Sequence, residues 1–113
     1  MSILALMRTP TPFESRVYEA LTQIPRGRVT TYGLLAVYLD CGSARAVGQA
    51  LRRNPNGPRV PCHRVVRADL SLGGYAGATA GATWRRKHRL LEQEGIPIEG
   101  NCVASREYLY DFS

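Results

Sequence analysis

A cysteine stands between a proline and a histidine in the stretch RVPCHRVV, residues 59–66. The thiolate is the nucleophilic form of cysteine, and an unperturbed thiol, with a pKa of about 8.5, needs a base near neutral pH. His63 could be that base through a bridging water, because adjacent side chains of an extended chain point to opposite faces. A carboxylate would orient the imidazole, and the residues leave open whether Glu92 or Glu94 does so. Cys62 is therefore either a nucleophile with its base or an ordinary buried cysteine.

A metal site is the alternative use of cysteine and histidine, and the spacing disfavours it. Adjacent residues rarely ligate one ion, and no zinc-ligand pair spacing occurs among the candidates. We therefore expect no metal and no cofactor, two plain thiols at Cys41 and Cys102, and a surface histidine at His88. Three widely spaced cysteines also argue against a disulfide framework and favour a reducing compartment.

The charge balance suggests a nucleic-acid partner. Fifteen basic residues against nine acidic ones give a net charge of +6, and every basic residue except Lys87 is an arginine. The guanidinium fork matches phosphates and base edges. The apolar start, MSILALMRTP, is too short to span a bilayer and a poor signal peptide. We expect one domain over residues 1–113 that is cytoplasmic, associated with the nucleoid, not bound to membranes and monomeric.

Helical periodicity and capping residues predict four helices along the chain. The first begins at Thr11–Pro12, the second at Thr30 or Thr31, the third at Ser43 and the fourth at Thr83. The second and third are separated by a short turn with glycine, which is typical of a helix-turn-helix. The runs RVVRA and LGGYA, on either side of residues 69–71, predict a small β-hairpin. The tail, VASREYLYDF, gives a weak signal for a last short helix.

The third helix carries unusually small residues: Ala44, Ala46, Gly48 and Ala50. Glycine costs a helix about 0.8–1 kcal/mol relative to alanine, and close approach to another helix or to a nucleic-acid backbone would compensate. Val47 and Leu51 should face the core. The outward side chains are then Arg45, Gln49, Arg52 and Arg53. This surface suits DNA, but a solvated arginine face remains an equal alternative.

The segments IPRGRVTTYGLLA, SARAVGQALRRNP, VPCHRVV, LGGYAG and LLEQEG occur in that order and span roughly residues 12–96. In them the chain resembles the C-terminal DNA-binding and active-site domain of the O6-alkylguanine-DNA alkyltransferases. The resemblance implies a mainly α fold of winged helix-turn-helix type with a small β-hairpin. It also implies direct, stoichiometric transfer of an alkyl group from O6-alkylguanine in double-stranded DNA to a cysteine.

The resemblance also implies roles for particular residues. Cys62 is the acceptor thiol, His63 acts on it through a water, and Glu94 rather than Glu92 orients the histidine. Tyr32 helps to turn the nucleotide out and gives a proton to the leaving guanine, and Arg45 enters the duplex in its place.

Further roles concern DNA and the guanine pocket. Asn54 ties the recognition helix to the active-site turn. The third helix lies in the minor groove, with Ala44, Ala46, Gly48, Gln49 and Arg52 beside Arg45. The pocket is lined by Pro61, Gly73, Gly74, Tyr75 and Ala76.

The chain also departs from the family pattern. It has no room for the N-terminal domain of full-length members, and Leu70 stands where the turn usually has a glycine. Its short length resembles the alkyltransferase-like proteins, which bind alkylated DNA without repairing it and pass the lesion to excision repair. Those proteins characteristically replace the cysteine, so the presence of Cys62 favours repair. A cysteine hydrolase is a third class, but it needs an oxyanion site that the sequence does not locate.

Overall fold

The computed structural model describes residues 10–53, 61–72 and 82–113. Among these residues the helices are α1 (Pro12–Leu21), α2 (Tyr32–Tyr38), α3 (Ala44–Arg52) and α4 (Ala82–Gln93), with short 3-10 helices at Cys62–Arg64 and Arg106–Tyr108. The strands have two residues each: β1 (Thr30–Thr31), β2 (Val65–Val66), β3 (Ile98–Glu99) and β4 (Cys102–Val103). The predicted fold class, mainly α with a small β-hairpin, is confirmed. None of the helices within the described ranges is long and apolar enough to cross a membrane.

The first three helices begin at capping residues that the sequence predicts. The side-chain oxygens of Thr11, Thr31 and Ser43 each accept a hydrogen bond from the backbone N–H three residues on, at 3.1, 3.0 and 3.1 Å. The backbone N–H of Thr11 in turn donates a hydrogen bond to the carboxylate of Glu14, which completes a capping box. Thr31, not Thr30, is therefore the cap of α2.

A short parallel pair of strands lies between two hydrophobic clusters. Thr30 pairs with Val65 and Thr31 with Val66. Because successive side chains of a strand point to opposite faces, Val65 packs among α1, α2 and α3, whereas Val66 packs with α4 and the chain beyond it. The first cluster also contains Val17, Leu21, Ile24, Leu35 and Val47, and the second contains Val29, Leu70, Leu72, Leu91, Ile96 and Val103.

The predicted hairpin is described only in part, and the structure adds strand pairs that the sequence does not predict. The predicted first strand pairs in parallel with β1, and the described antiparallel pair is β3 with β4. The predicted turn is present, since the N–H of Arg67 donates to the carbonyl of Ser71 at 3.0 Å. Most of the predicted second strand lies outside the described residues. The sequence pattern located the turn but could not show that a distant segment supplies the strand partner.

Of the short helix predicted in the tail, only a 3-10 turn at residues 106–108 forms. Residues 102–103 form a strand, 106–108 a 3-10 turn, and the following residues are held against Val29. The N–H of Val29 donates to the carbonyl of Tyr108 at 2.8 Å, and the N–H of Tyr110 donates to the carbonyl of Val29 at 2.6 Å. Backbone partners far away in sequence therefore replace the intrahelical bonds.

Leu70 adopts the backbone conformation that glycine favours. Its φ is 70°, and its side chain is only 7% exposed within the second cluster. A residue with a Cβ is strained in the left-handed region by about 1–2 kcal/mol. Burial of the leucine side chain offsets that strain.

We predict that Leu70→Ala destabilises the protein by about 2–5 kcal/mol, because it removes buried methyl groups and keeps the strained Cβ. Leu70→Gly removes the same groups and relieves the strain, so we expect it to be more stable than Leu70→Ala by about 1 kcal/mol. This reverses the usual order, in which glycine is the less stable of the two. Urea unfolding of both variants measures the difference, and a more stable alanine variant would contradict the account.

Candidate active site

Cys62, His63 and Arg64 form a single 3-10 turn between Pro61, which is buried, and β2. The turn directs consecutive side chains to different neighbours. Cys62 is half-buried against the first cluster, and its sulfur lies 4.0 Å from the carbonyl oxygen of Leu51 in α3. His63 is 5% exposed and faces the end of α4. The thiol and the imidazole therefore stand next to each other in the chain but face different elements.

His63 is held by the carboxylate that the family resemblance singles out. Its Nε2 lies 2.8 Å from Oε2 of Glu94. Because a carboxylate only accepts hydrogen bonds, Nε2 carries the proton, and Nδ1 is left with its lone pair in the neutral ring. Burial lowers the pKa of His63 below 6.5, although the bond to Glu94 acts in the opposite direction. The imidazole is therefore neutral at pH 7 and able to accept a proton.

Arg64 holds the same carboxylate, which sequence reasoning did not anticipate. Its Nε donates to Oε1 of Glu94 and its Nη2 to Oε2, both at 2.9 Å, and its Nη1 donates to the carbonyl of Ile24 at 2.7 Å. Burial raises the pKa of Glu94, but the bonds from Arg64 and His63 together outweigh it and hold the pKa below its ordinary value. One signal in the sequence was available. A carboxylate buried beside a neutral histidine needs a cation, and Arg64 follows His63 directly.

Glu94 lies just after the last turn of α4, where the helix dipole disfavours an anion, and the loop before β1 supports this end. The N–H of Glu94 donates to the carbonyls of Leu90 and Leu91. Arg26 donates to the carbonyl of Gln93 at 2.8 Å. Gly27 has a φ of 89°, and a Cβ there would lie 3.4 Å from the carbonyl oxygen of Glu94. The IPRGR segment therefore packs closely against the backbone of the residue whose carboxylate orients His63.

Tyr32 begins α2 and lies within electrostatic reach of the thiol. Burial raises the pKa of its phenol, the charge of Arg67 lowers it, and the charge of Cys62 raises it further. The phenol is therefore protonated at neutral pH and is a proton donor. Its ring lies 3.9 Å from the position that a Cβ of Gly48 would occupy, so α3 approaches α2 closely at this glycine.

Helix α3 presents the surface that its sequence pattern predicts. Val47 and Ala50 are buried, whereas the exposed residues are Ala44, Arg45, Gln49, Arg52 and Arg53. Ala46 and Gly48 are half-buried. Gln49, Arg52 and Arg53 line an open depression on this face.

The remaining predicted residues fall into three groups. Asn54, Gly73, Gly74, Tyr75 and Ala76 lie outside the described residues, so the structure does not test their predicted positions. Glu92 pairs with His88, one helical turn earlier, and not with His63. Its Oε1 lies 3.1 Å from Nδ1 of His88. Within residues 10–53, 61–72 and 82–113, no group of histidine, cysteine and acidic side chains is arranged to hold a metal ion.

Comparison with known families gives a match over most of the chain. Residues 12–96 match the model of the 6-O-methylguanine DNA methyltransferase, DNA binding domain. A methylated-DNA–protein-cysteine methyltransferase of Methanothermobacter thermautotrophicus is 42% identical over 90 residues, which cover 80% of this chain and 48% of that protein. The chain thus spans about half the length of this curated relative.

Solved structures with a similar fold include two proteins in complex with DNA, an OGT and an Atl1. Mycobacterium tuberculosis OGT in complex with DNA has a TM-score of 0.68 and 44% identity, over 76% of this chain and 51% of that one. S. pombe Atl1, in complex with damaged DNA containing O6-carboxymethylguanine, has a TM-score of 0.77 and 32% identity. The Atl1 match covers 92% of this chain and 98% of that one.

We predict that Arg64→Met destabilises the protein by about 3–5 kcal/mol, because it leaves the buried carboxylate of Glu94 without its bidentate partner. Arg53→Met is the matched control. It removes an arginine that is 58% exposed and 3.5 Å from the buried carboxylate of Glu14, and we expect a loss of less than about 1 kcal/mol, because Glu14 keeps the hydrogen bond from the backbone N–H of Thr11 at 3.0 Å. Urea unfolding at neutral pH measures both values. Equal losses of unfolding free energy in the two variants would show that the pair of Arg64 and Glu94 stabilises the protein no more than an exposed arginine does.

Proposed function

The chain belongs to the 6-O-methylguanine DNA methyltransferase family, and on this premise we propose that it repairs DNA by moving an alkyl group from O6 of guanine to Cys62. Each molecule reacts once, because the product is a thioether and its carbon–sulfur bond is not hydrolysed in water. The observation that carries the proposal is the 2.8 Å bond between His63 and Glu94, one residue away from the thiol.

Activation of the thiol follows from the tautomer of His63. Glu94 accepts a hydrogen bond from the N–H at Nε2, so Nδ1 has the lone pair that takes the proton of Cys62 through a bridging water. The imidazolium that forms is stabilised by the same carboxylate, and Arg64 keeps that carboxylate ionised. The thiolate then attacks the alkyl carbon in line with the bond to O6.

The leaving group needs a proton, and Tyr32 gives it. The carbon–oxygen bond breaks as the carbon–sulfur bond forms, so guanine leaves as an anion. The phenol of Tyr32 is protonated at neutral pH because burial raises its pKa, and it transfers its proton to the departing base. Solvent then returns a proton to Tyr32, and the proton lost by the thiol is balanced by the one gained by guanine.

The target atom is inside the base stack, so the nucleotide must be extruded, at a cost of a few kcal/mol that is lower for a poorly paired, damaged base. Helix α3 enters the minor groove, where Ala44, Ala46 and Gly48 let the backbone approach, and Arg45 fills the gap. Gln49 and Arg52 contact the DNA beside it. The net charge of +6 adds an electrostatic contribution to the affinity that does not depend on the DNA sequence. The protein acts as a monomer, in the cytoplasm and on the nucleoid.

A second candidate is recognition of the lesion without repair. It is favoured by the match to Atl1, which covers nearly all of both chains, whereas the match to OGT covers about half of the enzyme. In that case the partners would include excision-repair proteins. The thiol at position 62, with His63, Glu94, Tyr32 and Arg45, supports alkyl transfer as the first candidate.

We predict that incubation with an oligonucleotide containing O6-methylguanine adds one methyl group to each protein molecule. Intact-mass spectrometry measures the addition, and peptide mapping should assign it to the peptide with Cys62. Cys62→Ala should abolish the addition and leave DNA binding largely intact.

The other two cysteines provide the controls for this experiment. Cys41→Ala and Cys102→Ala keep the thiol next to His63, so the methyl group should still be transferred. Tight binding of the damaged duplex by the wild-type protein with no change in mass would refute repair and support recognition of the lesion alone.

We predict that Arg45→Ala reduces the preference for damaged over undamaged duplex roughly tenfold, which corresponds to about 1.4 kcal/mol of lost compensation for the extruded base. Arg52→Ala, from the same exposed face, should weaken binding to both duplexes equally. It should also reduce the slope of log affinity against log salt concentration by about 1. Fluorescence anisotropy over a range of salt concentrations measures both effects. Because both side chains are exposed, the free energy of unfolding should change by less than about 0.5 kcal/mol. An unchanged preference in Arg45→Ala would exclude the role of Arg45 in extrusion.

A further inference from the structure

Arg67 is an exposed arginine that follows β2 directly and begins the turn at residues 67–71. Its N–H donates to the carbonyl of Ser71 at 3.0 Å, and its carbonyl accepts from the N–H of Leu70 at 2.8 Å. The turn therefore fixes the backbone of Arg67, while the guanidinium reaches solvent. The packing of the two hydrophobic clusters does not use this side chain.

The parallel pair of strands brings Arg67 next to Tyr32. Thr31 pairs with Val66, so Tyr32 and Arg67 leave the two strands side by side. Adjacent strands lie about 4.8 Å apart, and alternate side chains of one strand share a face. Arg67 is therefore on the same face as Val65, which packs in the first cluster, and Tyr32 packs against that cluster as well.

The charges that act on the phenol of Tyr32 oppose each other. Burial raises the pKa of Tyr32, the charge of Arg67 lowers it, and the charge of Cys62 raises it. Arg67 itself interacts through its charge with Asp69 of the same turn and with Lys87 of α4. Arg67 is thus the cation that favours the phenolate, against both burial and an ionised thiol.

Departure of guanine makes that phenolate necessary. When the carbon–oxygen bond breaks, its electron pair stays on guanine, and the phenol of Tyr32 gives its proton to this anion. The tyrosine is then a phenolate in a half-buried position, where burial makes it a weak acid. A positive charge held where negative charge develops lowers the barrier of such a step.

We propose that Arg67 is a positioning residue for this proton transfer, whose guanidinium lies beside Tyr32 and stabilises its phenolate while guanine leaves. The role rests on the proposed function. Water then returns a proton to the phenolate, and Arg67 is unchanged at the end of the step. A guanidinium suits this task because it keeps its charge even at a pH at which tyrosine ionises.

The first test removes the charge of Arg67 and compares rates of methyl transfer. In Arg67→Gln, we expect the single-turnover rate at saturating O6-methylguanine oligonucleotide to fall roughly fivefold, a part of the roughly 10²–10⁴-fold that general acid catalysis contributes. Arg67→Lys keeps a positive charge and should restore most of the rate. Arg89→Gln removes an exposed arginine from α4 and is the matched control, with the wild-type rate expected. The midpoint of urea unfolding should stay unchanged in all three variants, because the side chains are exposed.

The dependence on pH separates an effect on the phenol from an effect on the thiol. An effect on the thiol would disappear at a pH at which Cys62 is fully ionised. We therefore expect the deficit of Arg67→Gln to persist on the plateau of the rate–pH profile, and equal plateau rates would overturn the proposal.

Iodoacetamide provides a reaction of the same thiol that needs no acid, because the leaving iodide takes up no proton. A Cys41→Ser, Cys102→Ser background confines the alkylation to Cys62. The plateau rate of this alkylation should be the same with and without Arg67→Gln. A fivefold loss here as well would place the effect on the thiol and overturn the role of Arg67 in proton transfer.

A double-mutant cycle tests whether Arg67 acts through Tyr32. Tyr32→Phe removes the acid, so Arg67→Gln should slow methyl transfer no further in that background. The free base O6-benzylguanine, which has no phosphate, should show the same deficit in Arg67→Gln as the oligonucleotide does. An additive loss in the cycle, or a deficit confined to the oligonucleotide, would assign Arg67 to a contact with DNA and overturn the proposal.

The failure of this proposal and the failure of repair give different results. No methyl transfer by the wild-type protein would refute repair and the role of Arg67 with it. Transfer by the wild-type protein and by Arg67→Gln at equal rates would refute the role of Arg67 alone and leave repair standing.

Discussion

The carboxylate of Glu94 is the interaction on which the candidate site depends. It joins the end of α4 to the turn that carries Cys62, because His63 and Arg64 both donate to it across a separation of about thirty residues. An anion at the C-terminal end of a helix and out of water is unfavourable unless it is fully paired. Arg64 provides that pairing with two bonds, and the remaining capacity of the carboxylate orients the imidazole. The position of the base is therefore set by the same contacts that make the buried charge tolerable.

The pair of strands β1 and β2 explains how so small a fold brings these groups together. The backbone of β2 fixes the residues that follow the Cys62–Arg64 turn, while its two valines pack into different hydrophobic clusters. On the other side, β1 leads directly into α2, so Tyr32 follows the strand that pairs with β2. Tyr32 thus follows one strand of the pair, and the turn with Cys62 precedes the other.

The sequence predicted the parts of this arrangement that depend on local rules. Thr11, Thr31 and Ser43 cap helices because their side chains bond to backbone three residues away, and such spacing can be read directly. Two other contacts join segments that are far apart in the chain: the pairing of Thr30 with Val65, and the bonds between Val29 and the tail. No local sequence pattern predicts such contacts. For the same reason the tail pattern predicts a last short helix, of which only residues 106–108 are helical. Within the site, Glu94 came from the family resemblance, while Arg64 was missed because an arginine in a basic sequence is ordinarily read as surface.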